Sequence, residues 1–201
     1  MVKVAIFDYG AGNIFSLKAS LQKNGAQVDV ITSLNHTNNY SGLLLPGVGN
    51  FDPAIKSLSS STKQFGDMVK NQIPILGICL GMEMFFEKSE EGKANGLGVL
   101  EGEVILLPNK FKIPHMGWND LRIKKPSKLL EGVKEGSWVY FVHSYRAKPR
   151  NEEIVKADSD YGISVPAVIE SGSLFGTQFH PEKSGKVGAI MISNFLRECK
   201  K

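Results

Sequence analysis

The run Ile73-Pro74-Ile75-Leu76-Gly77-Ile78-Cys79-Leu80-Gly81-Met82-Glu83 joins a short apolar β-type segment to a helix through Gly-x-Cys-x-Gly, and few folds accept it. A strand that passes straight into a helix belongs to a parallel α/β sheet, with the turn at the carboxyl end of the strand. The corner is too tight for side chains on either side of its central residue, so small residues flank it and the central side chain stands at the sheet edge. Here that residue is Cys79. A thiol at a helix N-terminus feels the positive end of the helix dipole, which favours thiolate. A lone cysteine more often packs as a small hydrophobe; two flanking glycines in a strand-to-helix setting instead make Cys79 a candidate covalent catalyst.

A nucleophile needs a base, and the base needs an orienter. Ser173-Leu174-Phe175-Gly176-Thr177-Gln178-Phe179-His180-Pro181-Glu182 reads as a short strand ending at a histidine, with a carboxylate two residues later. In extended chain, residues i and i+2 share a side, so Glu182 can bond one imidazole nitrogen while the other faces the thiol. Taken alone the segment is an ordinary surface turn. Together with Cys79 it completes a generalised triad of residues distant in sequence. Gly42-Leu43-Leu44-Leu45-Pro46-Gly47-Val48-Gly49 is a further apolar strand running into a glycine-rich turn. Backbone N–H groups from Gly47–Val48 and from Leu80, the residue after the nucleophile, make a candidate oxyanion hole.

The rest of the chain supplies a scaffold for such an edge. Strands are expected at Val2–Phe7, Val28–Ile31, Leu43–Leu45 and Ile75–Ile78. Helices are expected at Ile14–Lys23, with Asn13 as N-cap and Gly25 as stop, and at Phe51–Leu58 and Phe65–Lys70. That alternation implies a parallel sheet covered on both faces. Beyond Gly96 come shorter β-like runs at Val99–Leu107, Trp138–Val142, Ile154–Ala157, Val165–Ile169 and Leu174–Gln178, read as a mixed or antiparallel extension of the same sheet. A helix at Val187–Arg197 closes one domain spanning 1–201. Ser57–Thr62 and Asn35–Asn39 read as polar loops.

Bulk properties narrow the class. With 201 residues, 42% hydrophobic and 22% charged, the chain fits one ordinary globular core. Cys79 and Cys199 lack any C-x-x-C partner, which points away from a disulfide framework or zinc site and toward a reducing cytoplasm. The chain opens on a strand rather than a leader, and no apolar stretch reaches membrane-spanning length, so neither export nor anchoring is expected. The net charge of +4 comes from scattered lysines without an aromatic-arginine module, so nucleic acid is not the expected partner. Gly10-x-Gly12 fails the dinucleotide fingerprint because Phe15 stands at its third glycine. No phosphate-binding G-x-x-x-x-G-K-[ST] loop exists. His36, His115 and His143 lack metal-like spacing and read as loop or packing residues, Cys199 as incidental, and no cofactor is expected. Residue spacing by itself stops at amide or ester hydrolysis.

Gly77-Ile78-Cys79-Leu80-Gly81-Met82, Pro46-Gly47-Val48-Gly49 and His180-Pro181-Glu182 together resemble the class I glutamine amidotransferases. Within them, Asp8-Tyr9-Gly10-Ala11-Gly12-Asn13, Pro114-His115-Met116-Gly117-Trp118-Asn119 and Tyr140-Phe141-Val142-His143-Ser144-Tyr145 resemble the glutaminase subunits of imidazole glycerol phosphate synthases. The resemblance implies a three-layer α/β fold with a mostly parallel central sheet. It also implies glutamine hydrolysis through Cys79, His180 and Glu182, and transfer of ammonia to a cyclase partner in a heterodimer serving histidine biosynthesis. Gly49, Glu83, His143, Ser144 and Tyr145 would line the glutamine site, and Asn13, Trp118 and Lys183 would lie at the partner face or gate. One position departs from the family pattern, which carries glutamine where this chain has Glu83. Another cysteine hydrolase of related fold, a peptidase or γ-glutamyl hydrolase, the glutaminase of a different amidotransferase, and a non-catalytic binding module are the alternatives.

Overall fold

In the computed structural model, which describes residues 1–10, 14–35, 37–47 and 49–200, the apolar run Lys3–Phe7 forms β1. Val4 and Ile6 are buried in one cluster and Ala5 and Phe7 in another, as strand alternation dictates. A strand apolar on both faces needs cover on both sides. The chain provides it through α1 (Ile14–Lys23), β2 (Gln27–Ile31), β3 (Gly42–Leu45), α2 (Phe51–Leu58), α3 (Thr62–Lys70), β4 (Ile75–Ile78) and the single turn α4 (Leu80–Glu83). Gly25, at φ 84°, turns the chain out of α1.

The second half comprises β5 (Lys88–Ser89), β6 (Gly102–Leu106), β7 (His115–Asp120), β8 (Arg122–Ile123), β9 (Trp138–His143) and β10 (Tyr145–Pro149). It continues through β11 (Val155–Asp160), β12 (Ser164–Ser171), β13 (Leu174–Thr177) and α5 (Gly185–Glu198). The main sheet runs β2-β1-β3-β4-β13-β12-β11-β8. Its first five strands are mutually parallel and the last three are antiparallel additions. Leu17 and Leu21 of α1 and Met191, Ile192 and Phe195 of α5 pack on one face, against Val4, Ile6, Leu44, Leu76 and Ile78. Phe51, Ala54 and Leu58 of α2 and Phe65 and Met68 of α3 pack on the other, against Phe7, Leu43, Leu45 and Ile75. The result is the expected three-layer α/β arrangement with a mostly parallel sheet.

Three expectations are corrected. The β-like runs after Gly96 do not all extend the main sheet: β6 pairs with β10 and β5 in a separate three-stranded sheet, and β9 pairs with β7 in a two-stranded ribbon. A short β pattern fixes which residues face inward, while its partner is chosen by contacts far along the chain. Ser57–Thr62 is not a loop but the end of α2, a 3-10 turn at Ser59–Ser61 and the start of α3. Ser57, Ser59 and Thr62 hydroxyls donate to the carbonyls of Ala54, Lys56 and Ser59, which keeps a polar stretch helical. Thr37–Asn39 of the second polar stretch is likewise a 3-10 turn, and His36 lies outside the described residues. No helix among the described residues is long and apolar enough to cross a membrane.

Candidate active site

The carboxyl ends of three neighbouring parallel strands, β3, β4 and β13, converge on one point. β4 delivers Cys79, which sits at φ 46°, a left-handed conformation that a non-glycine residue adopts only when its surroundings enforce it. Its N–H donates to Thr177 O at 2.6 Å, and Glu83 N–H and Met82 N–H both donate to Cys79 O at 3.0 Å, closing the corner. Gly77 and Gly81 pack backbone to backbone across it, and a Cβ on Gly77 would lie 2.6 Å from Gly81.

β13 runs on through Gln178 and Phe179 to His180, which is 1% exposed. The expected extended geometry at His180–Glu182 is corrected: Pro181–Lys183 is a 3-10 turn. Proline at its start presets that turn, and the turn folds Glu182 back so that its Oε1 lies 2.8 Å from His180 Nδ1. His180 Nε2 is buried with no partner among the described residues. The imidazole is also clamped through the backbone. His180 N–H donates to Tyr140 O at 2.9 Å, Tyr140 N–H to Ser184 Oγ at 3.0 Å, and Ser184 Oγ to His180 O at 2.7 Å.

β3 brings Gly47 between these two groups. A Cβ there would meet Ile78 O at 2.8 Å and both Cys79 Cβ and His180 Cε1 at 3.0 Å, so the thiol-bearing carbon and the imidazole lie no more than twice that last distance apart. Val48 lies outside the described residues. The Leu80 N–H is directed at the thiol and stabilises its anionic form. The sulfur itself approaches Gln178 Nε2 at 3.7 Å and Val142 O at 3.8 Å.

The expectation of a thiol made acidic by a helix dipole is overturned. Burial, followed by the charge of Glu83, drives the Cys79 thiol well above its ordinary range. The helix it starts is four residues long, too short for a macrodipole to offset that desolvation. Glu83 is itself buried, and burial pushes its carboxyl to about 8 while Gln178, donating from Nε2 to Glu83 Oε1 at 2.9 Å, pulls it down. It is no exposed charge.

A cleft of about 320 Å³ opens over this centre, lined by Gly47, Gly49, Cys79, Leu80, Glu83, Glu91, Pro114, Val142, His143, Ser144, Tyr145 and His180. Every expected glutamine-site residue is among them. Of the two alternatives read for them, His143 and His115 take packing rather than loop: they are buried strand residues facing each other, with His115 Nδ1 2.9 Å from His143 Nε2 and His143 Nδ1 2.6 Å from Tyr145 O. Tyr145 O can only accept, so His143 carries its proton on Nδ1 and receives one from His115 Nδ1. Desolvation holds the two rings at about 3 and about 4 respectively, which keeps both neutral near pH 7.

Trp118 lies outside the cleft on β7, in T-shaped contact with Tyr140 at 6.1 Å, and Lys183 Nζ lies 5.9 Å from the centre of the same Tyr140 ring. Asn13 lies outside the described residues. Sequence reasoning missed Gln178, Tyr140, Ser184 and Glu91. Of these only Gln178 left a signal, standing two residues before His180 and hence on its side of the strand. No cluster of three or more metal-ligating side chains occurs among the described residues.

The profile of the family described as glutamine amidotransferase class-I matches residues 5–199. Among curated proteins, the imidazole glycerol phosphate synthase subunit HisH of Geobacillus kaustophilus is 45% identical, over 96% of this chain and 95% of its own. That of Aquifex aeolicus is 44% identical, over 100% and 99%. Among solved structures, a glutamine amidotransferase of Thermotoga maritima is similar with a TM-score of 0.77 at 15% identity, covering 100% of this chain and 99% of that one. PurLQS of the same organism gives 0.76 at 17% identity, covering 98% of each, and both likenesses speak to the fold. The strained cysteine elbow, the imidazole beside it and these matches over nearly the whole chain agree: the chain belongs to the class I glutamine amidotransferases and, within them, to the HisH subunits of imidazole glycerol phosphate synthase.

Proposed function

We propose that this chain hydrolyses glutamine to glutamate and ammonia with Cys79 as nucleophile, and hands the ammonia to a cyclase partner that builds the imidazole ring of histidine biosynthesis. The observation that carries it is the buried His180 Nε2 beside Cys79, without a partner among the described residues, with the other ring nitrogen held by Glu182. That tautomer leaves Nε2 free to accept the thiol proton as sulfur attacks the side-chain amide carbon, and to deliver it to the departing ammonia. Water, activated by the same nitrogen, then resolves the thioester to glutamate. The oxyanion of each tetrahedral intermediate is met by the Leu80 N–H and by the backbone at Gly47, groups of a kind worth about 3–4 kcal/mol each. The rest of glutamine lies along Gly49, Ser144, Tyr145 and Glu83, where the half-buried carboxyl of Glu91 suits the α-ammonium.

A partner is supported by the outer face of the β7–β9 ribbon, where Met116, Trp118 and Trp138 are 61%, 51% and 58% exposed. Exposed aromatic and methionine side chains grouped on one face are the mark of an interface. The same ribbon holds His180 through Tyr140, so a partner docked on it and on Lys183 would touch the catalytic centre's support. Such an enzyme works in the cytoplasm beside its partner and needs no cofactor of its own. Glutamate production by the full chain with its cyclase, from glutamine against γ-glutamyl and peptide substrates, tests the reading. Release from glutamine alone supports it, and preference for either other class overturns it.

A further inference from the structure

Glu83 is 4% exposed, and the proposed chemistry gives its carboxyl no part in proton transfer. Its surroundings are acidic or neutral. Cys79 lies one helical turn before it, Tyr9 follows β1, Glu91 follows β5 with Glu90 beside it, and Tyr145 begins β10, while Glu182, in the turn after β13, acts on Cys79 and His180 lines the same cleft. Among the described residues no lysine or arginine lines the cleft. The group that touches both Glu83 and Cys79 is the Gln178 amide, whose Nε2 lies 2.9 Å from Glu83 Oε1 and 3.7 Å from Cys79 Sγ. That nitrogen carries two hydrogens, one for the carboxyl oxygen and one for the sulfur. It can satisfy both acceptors but neutralise neither, so a carboxylate and a thiolate together would be two buried anions sharing one uncharged donor.

We propose that Glu83 is a proton-linked positioning residue for the nucleophile: as the neutral acid it permits the Cys79 thiolate, and as the carboxylate it holds Cys79 as the thiol. The coupling runs both ways, since a thiolate at Cys79 equally disfavours ionisation of Glu83. It also gives Gln178 a role as the bridge that fixes the distance between the two charges. The inference rests on Cys79 being the nucleophile, yet its test needs no glutamine.

The measurement is the rate of Cys79 alkylation by iodoacetamide in the full chain from pH 6 to 10, followed by mass spectrometry of the Cys79 peptide so that Cys199 does not contribute. Glu83→Gln keeps the shape and an oxygen to accept from Gln178 while removing the charge. It should alkylate roughly ten-fold faster than wild type at alkaline pH, as a buried like charge is worth about one pKa unit or more. The two should alkylate alike below about pH 7, and wild type should break and fall behind the variant as Glu83 ionises at about 8. Superimposable profiles would overturn the proposal, because a purely structural role would alter melting and leave the shape of the profile unchanged. If Glu83→Gln fails to fold, the wild-type profile decides by itself: a logarithmic rate that rises evenly from pH 6 to 10 with no break near 8 overturns the coupling. Glutamate release with the cyclase is measured separately, so failure of the glutaminase reading and failure of the coupling remain distinguishable.

Discussion

At residue 79 the backbone is held in place independently of the sulfur, through Thr177 O on one side and two helical N–H groups on the other. Cys79→Ala should therefore fold with a melting temperature near wild type and release no glutamate above background in a coupled glutamate dehydrogenase assay, whereas substantial residual turnover would remove the nucleophile from the mechanism. His180→Asn should be nearly as severe. Glu182→Gln should fall about 10²–10⁴-fold yet stay measurable, since it disturbs the tautomer of a ring that Tyr140 and Ser184 still hold. Glu83 carries a stability signature as well. Below its ordinary range near 4.5 the carboxyl is protonated whether folded or unfolded; from there to about 8 only the unfolded chain ionises, so the folded state loses stability as pH rises, and above about 8 the loss levels off. Glu83→Gln lacks that loss, so its stability advantage over wild type should grow from pH 5 to pH 8, by a few kcal/mol at most. Urea titrations at the two pH values check this, and an advantage independent of pH counts against a buried neutral acid.

At the scale of elements, the elbow depends on how closely α4 approaches β3. A Cβ on Gly81 would be driven into the Leu45 carbonyl, a backbone group that cannot step aside. Gly81→Ala should thus cost about 1–3 kcal/mol in urea unfolding and displace Leu80 N–H from the thiol, lowering activity with it; a fully stable, fully active variant would show that the corner has slack. The same element explains what could be read in the chain beforehand. Cys79, its two glycines, Gly47 and the His180–Glu182 pair each announce themselves within a few residues, because tight corners and triads demand particular residue types locally. Tyr140 and Ser184 do not: a tyrosine's carbonyl and a serine hydroxyl 44 residues apart have nothing in their identity that says they clamp a histidine. The His115–His143 pair was missed for the same reason, its meaning arising only when β7 and β9 align in register. The dipole argument at Cys79 failed on length and burial together, since four residues of helix cannot offset removal from water.

At the scale of the whole molecule, the arrangement is poorly poised for rapid turnover by itself. Its thiol is buried and pushed well up, a carboxyl of matched protonation stands beside it, and the aromatic face joined to the imidazole through Tyr140 is left to solvent. Docking a cyclase on Met116, Trp118 and Trp138 would bury that face and press on the segment from Tyr140 to Tyr145, whose far end forms the cleft wall. Trp118→Ala should weaken the complex about 10–100-fold by titration calorimetry, as loss of a central aromatic anchor does, with no change in the melting temperature of the free chain. Glutamate production by the isolated chain should be slow and should rise when the cyclase is added, more so when the cyclase holds its own phosphate-bearing substrate. Because Trp118 lies outside the cleft, its variant should reach the wild-type rate once enough cyclase is supplied. Equal rates with and without the cyclase would defeat gating by the partner while leaving the chemistry at Cys79 untouched.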